Sequence, residues 1–159
     1  MLRPLSPWAA LFPALGLVLA IAAFTFLGLY SEGARAEPAL APAPADQAAI
    51  LGTIRSQLDA FQADDGSRAF SYATPQLRHL FGTPANFMAM VRGGYQAVYR
   101  PQSVEFLDAR IVDGKIGQAV RFVGPDGSAV IAIYTMEQQA DGSWRIAAVQ
   151  LIPTGELSS

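Results

Sequence analysis

The residues best suited to chemistry concentrate in one stretch, Phe87-Met-Ala-Met-Val-Arg-Gly-Gly-Tyr-Gln-Ala-Val-Tyr-Arg-Pro101. Arg92 and Arg100 carry guanidinium forks that match a carboxylate, so the pair could hold an anionic ligand. The plainer role is an ion pair with Asp64, Asp65 or Glu105. Tyr95 and Tyr99 stand four residues apart and share a face only where the chain is helical. Either hydroxyl can donate into a pocket, although a tyrosine more often buries its ring and leaves the hydroxyl at a rim. Gln118 and Gln150 fall among apolar residues of two later strands. A buried glutamine needs partners for both its carbonyl and its amide, supplied by a ligand or by backbone groups. Arg92, Tyr95, Tyr99, Gln118 and Gln150 are therefore the candidate ligand contacts.

Other chemistries are excluded by what is missing or misplaced. There is no cysteine, and His79 is the single histidine. Disulfides, thiolate catalysis and multi-histidine metal sites are ruled out. No run of acidic residues has the spacing of a calcium loop. Gly93-Gly94 does not follow a strand, so it is a helix stop rather than a phosphate cradle. Leu77, Leu80 and Phe81 are the expected inward residues of a short helix, which places His79 on its outer side, where it is expected to be non-catalytic. Asp64-Asp65, next to Gly66, are first of all caps. No cofactor and no metal are expected. The formal charge is -2, with 11 basic and 13 acidic residues, and no basic patch suggests nucleic acid.

The elements that would position these residues are legible from periodicity and punctuation. Asp46 is a plausible N-cap, and Ile50, Ile54, Leu58 and Phe61 then recur at helical spacing. Asp64-Asp65-Gly66 ends that helix and starts a short second one through Tyr72. Thr74-Pro75 and Thr83-Pro84 open a third and a fourth, each with threonine as cap and proline in the first turn. Gly82 closes the third, and Gly93-Gly94 close or kink the fourth. From Ser103 the period becomes two. Turn signals at Asp113-Gly114, Gly124-Pro125-Asp126-Gly127 and Asp141-Gly142 divide strands over 103–112, 115–123, 128–139 and 143–152. The fold class is α+β, with short helices on a curved four-stranded antiparallel meander.

A register follows from the loops. It pairs Ile111 with Ile116, Leu107 with Val120, Val120 with Ile131, Gln118 with Ile133, and Ile133 with Gln150. The core face would carry Leu107, Ile111, Ile116, Val120, Phe122, Ile131, Ile133, Ile146 and Ile152, together with Gln118 and Gln150. The other face would carry Val130, Ala132, Tyr134, Met136, Ala147, Val149 and Leu151. An apolar surface of that extent should not stay in water, so a homodimer through the sheet is expected, with cover by the N-terminal segment as the alternative.

The first 36 residues form an address. Residues 8–30 contain no charge, and Arg3 precedes them. Ala34-Arg35-Ala36 has the small-x-small pattern of a signal cleavage site. The apolar run is also close to the roughly 20 residues that span a bilayer, so a cleaved signal and a retained membrane anchor both stay open. Either places the domain in the periplasm. Residues 37–45 form an alanine–proline spacer, 46–153 the domain, and 154–159 a tail.

Gln57-Leu-Asp-Ala-Phe61, Asp64-Asp65, Ala69-Phe70, Ala73-Thr-Pro75, Phe87-Met-Ala-Met-Val-Arg92, Gly94-Tyr95, Val98-Tyr-Arg-Pro101, Gln118 and Asp141-Gly-Ser-Trp-Arg-Ile146 resemble the bacterial domain-of-unknown-function 4864 family. The order of elements resembles the nuclear transport factor 2-like, cystatin-related roll. The family resemblance implies no activity, and the roll hosts enzymes and binding modules alike. The expectation is an exported domain that binds a small apolar or amphipathic ligand, or a partner protein, without catalysis. A cofactor-free isomerase or lyase and a pocketless scaffold are the alternatives.

Overall fold

A computed structural model describes residues 41–154. The expected signal or anchor, the first four residues of the spacer and all but the first residue of the tail lie outside the described residues. Helix α1 spans Pro44–Gln62, α2 Gly66–Ser71, α3 Pro75–Phe81, α4 Pro84–Gly94 and α5 Gln96–Tyr99. Strands β1 (Ser103–Val112), β2 (Lys115–Val123), β3 (Ala129–Gln138) and β4 (Trp144–Pro153) follow as an antiparallel meander in the order β1-β2-β3-β4. The chain is thus α+β, with helices packed on one face of a four-stranded sheet. Among the described residues no helix is long and apolar enough to cross a membrane.

The local signals operate as expected, with small shifts. Thr74 and Thr83 cap α3 and α4, accepting from Leu77 N at 3.3 Å and Asn86 N at 3.1 Å. Asp65 caps α2 through Arg68 N at 3.0 Å. Helix α1 starts at Pro44, inside the expected spacer and two residues before Asp46. Asp46 is not the cap; it accepts from Trp144 Nε1 at 3.3 Å and helps hold α1 on β4. Ile50, Ile54, Leu58 and Phe61 are buried on one helix face, as their spacing requires. Leu80 was expected to point inward, but it is 75% exposed; α3 turns only Leu77 and Phe81 toward the core.

The sheet register corrects the expectation at its centre. The second hairpin closes with Gly124 N to Ser128 O at 2.8 Å, and Gly127 N donates to Gly124 O at 3.0 Å. Gly127 has φ 81°, so this is a three-residue loop ending in a left-handed glycine. The four-residue loop expected over Gly124–Gly127 is one residue too long. The pairs are therefore Val120–Ala132 and Gln118–Tyr134, not Val120–Ile131 and Gln118–Ile133. A slip of one residue exchanges every side chain between faces. Ala132, Tyr134 and Met136 are buried under the helices, and Ile131 and Ile133 lie on the outer face.

Two bulges complete the correction. On β1, Leu107 and Asp108 bulge opposite Ala119, so Phe106 pairs with Val120 and the expected Leu107 partner is displaced. On β4, Ala147 is the extra residue between the Met136–Ile146 and Thr135–Ala148 pairs. Ile146 and, beyond the bulge, Val149 and Leu151 consequently all face the helices. Ile133 does pair with Gln150, as expected, but on the outer face, where Gln150 is exposed with Ile152 beyond it. Of the apolar set expected to need a partner subunit, Val130, Ala132, Tyr134, Met136, Val149 and Leu151 belong to the core packed against the helices, and Ala147 is the bulge residue.

Gln118 is the polar residue that this geometry requires. It is fully buried. Its Nε2 donates to the bulged Leu107 carbonyl at 2.6 Å and to Ala119 O at 2.8 Å, and its Oε1 accepts from Gln47 Nε2 at 2.6 Å. One side chain joins the β1 bulge to the first turns of α1. Gln118→Met keeps the volume and removes these bonds. Orphaned buried carbonyls cost about 1–3 kcal/mol, so the urea midpoint should fall by that equivalent with an unchanged slope.

Candidate functional site

Close packing normally leaves few voids larger than a water molecule. Between the helices and the sheet, however, lies a cavity of about 360 Å³. Its inner wall is Phe61, Phe87, Val91, Val98, Tyr134 and Ile146, all buried. Its rim is Leu77 and Phe81 of α3, Met90 of α4, Tyr95, and Ala148 and Val149 of β4; these are half-buried, and Ala148 is exposed, so the cavity reaches the surface. Phe87 anchors an aromatic wall, with ring centroids 5.3 Å from Phe70, 5.5 Å from Phe81 and 6.1 Å from Phe61. The short helices position this wall because Thr83-Pro84 starts α4 at a fixed phase, setting Phe87 and Val91 four residues apart on one face.

Among the described residues, three polar side chains line the cavity: Gln57, Tyr95 and Tyr134. Gln57 Nε2 donates to Ala69 O at 3.2 Å, and the Tyr95 hydroxyl donates to Val149 O at 3.1 Å. The Tyr134 hydroxyl is buried and has no hydrogen-bond partner among the described residues. Burial alone pushes its pKa well above the ordinary phenol range, so it stays protonated and remains a donor. Among the described residues, no charged side chain lines the cavity. No group of His, Cys, Asp and Glu able to hold a metal is present among the described residues.

The expected contacts are dispersed. Tyr95 alone is in the cavity wall. Gln118 is buried elsewhere in the structural network described above, and Gln150 lies exposed on the outer face, so the two do not share a row. Arg92 and Tyr99 join Asp64 and Arg100 in a separate surface cluster. Asp64 accepts from the Tyr99 hydroxyl, from Arg100 Nη2 at 2.8 Å and from Arg92 Nη2 at 3.4 Å. Arg100 also donates to the Phe61 carbonyl at 2.5 Å, and its guanidinium stacks 3.8 Å from the Tyr99 ring centroid. His79 is exposed, and exposed Glu105 pairs with Arg121 at 3.4 Å, so neither supplies an acid or base to the cavity.

This cluster terminates α1. Asp64 N donates to Phe61 O at 3.1 Å and Asp65 N to Ala60 O at 2.9 Å, with Asp64 at φ 54°. That is a Schellman stop with aspartate in the position glycine usually takes. Its carboxylate sits at the negative end of the helix, where the two arginines offset it. The arginines thus take the structural role weighed for them, tying the end of α1 to α4 and α5.

Sequence reasoning missed Tyr134, Gln57 and the aromatic wall as parts of one site. The loop misread by one residue sent Tyr134 outward. The repeated Asp-Gly-Ser string was the available signal. Asp126 and Asp141 each bind the backbone N of the following serine, Ser128 or Ser143, at 2.9 Å, and both loops have three residues.

The comparisons with known proteins give one result: a family model described as "Domain of unknown function (DUF4864)" matches residues 43–158. No curated protein and no solved structure matches the chain.

Two outcomes are expected from these geometries. Tyr134→Phe removes an unpartnered buried hydroxyl and should raise stability by about 1 kcal/mol in a urea titration. The Tyr99 hydroxyl, then Arg100 and Arg92, hold the Asp64 carboxyl below its ordinary range. A depressed carboxylate stabilises the fold above the unfolded-state pKa and loses that contribution as pH falls through the folded value. Asn tolerates the same backbone conformation, so Asp64→Asn isolates the charge. Its melting temperature should lie below wild type at pH 7, and the gap should close as pH drops below roughly 4.

Proposed function

The chain belongs to the DUF4864 family, described only as a domain of unknown function, and we propose that its domain is a binding module for a small, largely apolar ligand. The observation that carries this is the open cavity of about 360 Å³ with an apolar, charge-free wall. Ligand sites are characteristically concave, apolar and furnished with few polar groups. Acid–base catalysis needs a titratable group poised within reach of a substrate. Here Asp64, Glu105 and His79 all lie outside the lining, which favours binding over isomerase or lyase chemistry. The uncharged N-terminal run and the Ala34-Arg35-Ala36 pattern favour an exported or membrane-tethered domain acting in the periplasm. Self-association through the sheet would now use Ile131, Ile133 and Ile152 of the outer face, not Val149, which walls the cavity.

A neutral fluorescent probe, N-phenyl-1-naphthylamine, tests the reading. It should bind the full chain with enhanced emission. At a hundred times its dissociation constant it should add about 2.7 kcal/mol to stability. Ala148 is at the exposed rim, so Ala148→Trp should obstruct the mouth and abolish binding while leaving the melting temperature within a few degrees. A wild-type chain that neither binds nor is stabilised by the probe counts decisively against a ligand pocket.

A further inference from the structure

We infer that the ligand of this cavity is uncharged and carries one oxygen acceptor, which pairs with the Tyr134 hydroxyl while the apolar remainder fills the aromatic wall. This rests on the binding reading above and supplies its chemistry.

The first argument is electrostatic. Among the described residues, the lining holds no cationic and no anionic side chain. The nearby guanidiniums of Arg92 and Arg100 are engaged with Asp64 and the end of α1. A carboxylate or phosphate drawn into the cavity would lose its hydration and find no counter-charge, which apolar contacts do not offset. Acceptance of a charged lipid headgroup or an organic acid is therefore selected against by the wall itself.

The second argument is the hydrogen-bond account. Of the three polar side chains in the lining, Gln57 and Tyr95 already donate to protein carbonyls. Tyr134 does not: its hydroxyl is unpartnered and fully enclosed, so a ligand acceptor reaches it as the neighbouring side chains give way. A phenol kept protonated by burial offers a proton, so the complementary group is an acceptor: the oxygen of a ketone, aldehyde, ester, ether or alcohol. A site with a buried donor left unpaired discriminates against analogues that lack the acceptor, more sharply than an apolar wall discriminates by size.

The third argument is dimension. About 360 Å³ stands at the low end for small-molecule sites. That suits a medium-length chain or a compact ring system rather than a long diacyl lipid or a peptide.

The test uses the full chain and three nine-carbon probes: nonan-2-one, nonanoate at pH 8 and non-1-ene, each titrated by calorimetry against wild type and Tyr134→Phe. The ketone should bind wild type about tenfold more tightly than the alkene, the worth of one hydrogen bond, and nonanoate should bind more weakly than both. Tyr134→Phe should lower ketone affinity to the alkene's level and leave the alkene unchanged, while circular dichroism shows a folded variant. Nonanoate binding as tightly as the ketone overturns the uncharged ligand. Ketone affinity unaltered by Tyr134→Phe overturns the role of the hydroxyl; in both cases the cavity remains a binding site through the alkene. Failure of all three probes to bind wild type overturns this inference and the binding function together.

Discussion

The parity of one hairpin loop governs the interior of this domain. Side chains alternate across a sheet with period two, so the three residues between Gly124 and Ser128 decide which half of β3 meets the helices. With that loop, Ala132, Tyr134 and Met136 turn inward beside Val120 and Phe122 of β2. One residue more would bury Ile131 and Ile133 instead and place the tyrosine in solvent. The cavity depends on the same parity, because it brings Tyr134 to the inner wall with Phe61 of α1 and Phe87 of α4. The β4 bulge at Ala147 then keeps Ile146 and Val149 both facing inward despite their odd separation.

Gln118 and Tyr134, both fully buried, are treated in opposite ways. Gln118 has its amide and carbonyl satisfied, and it fixes the β1 bulge to α1. Tyr134 is equally buried and has no partner. An interior that satisfies one polar group and leaves another donor unpartnered beside an apolar cavity is consistent with the binding role proposed above. The pair shows why burial of a polar residue is uninformative by itself. Its partners decide whether it belongs to the framework or to the function.

The Phe87–Pro101 stretch serves two masters. Its apolar side supplies Phe87, Val91, Tyr95 and Val98 to the cavity. Its polar side sends Arg92, Tyr99 and Arg100 to Asp64, closing α1 at a strained residue. The cavity wall and the helix stop therefore draw on the same segment, α4 and α5.

Much of this was legible from local signals. Threonine–proline pairs, Asp65 and Gly82 mark the helix limits because capping acts over three or four residues. Alternation from Ser103 and the Asp-Gly turns mark four strands, and the absence of cysteine with a single histidine excludes whole chemistries. What only the tertiary structure decided is which faces meet. Loop length by one residue, two bulges, and bonds such as Tyr95 to Val149, 54 positions apart, depend on packing between distant segments. Composition and periodicity describe each segment alone. The cavity, the role of Gln118 as framework and the unpartnered Tyr134 exist only where segments far apart in the chain compete for the same space.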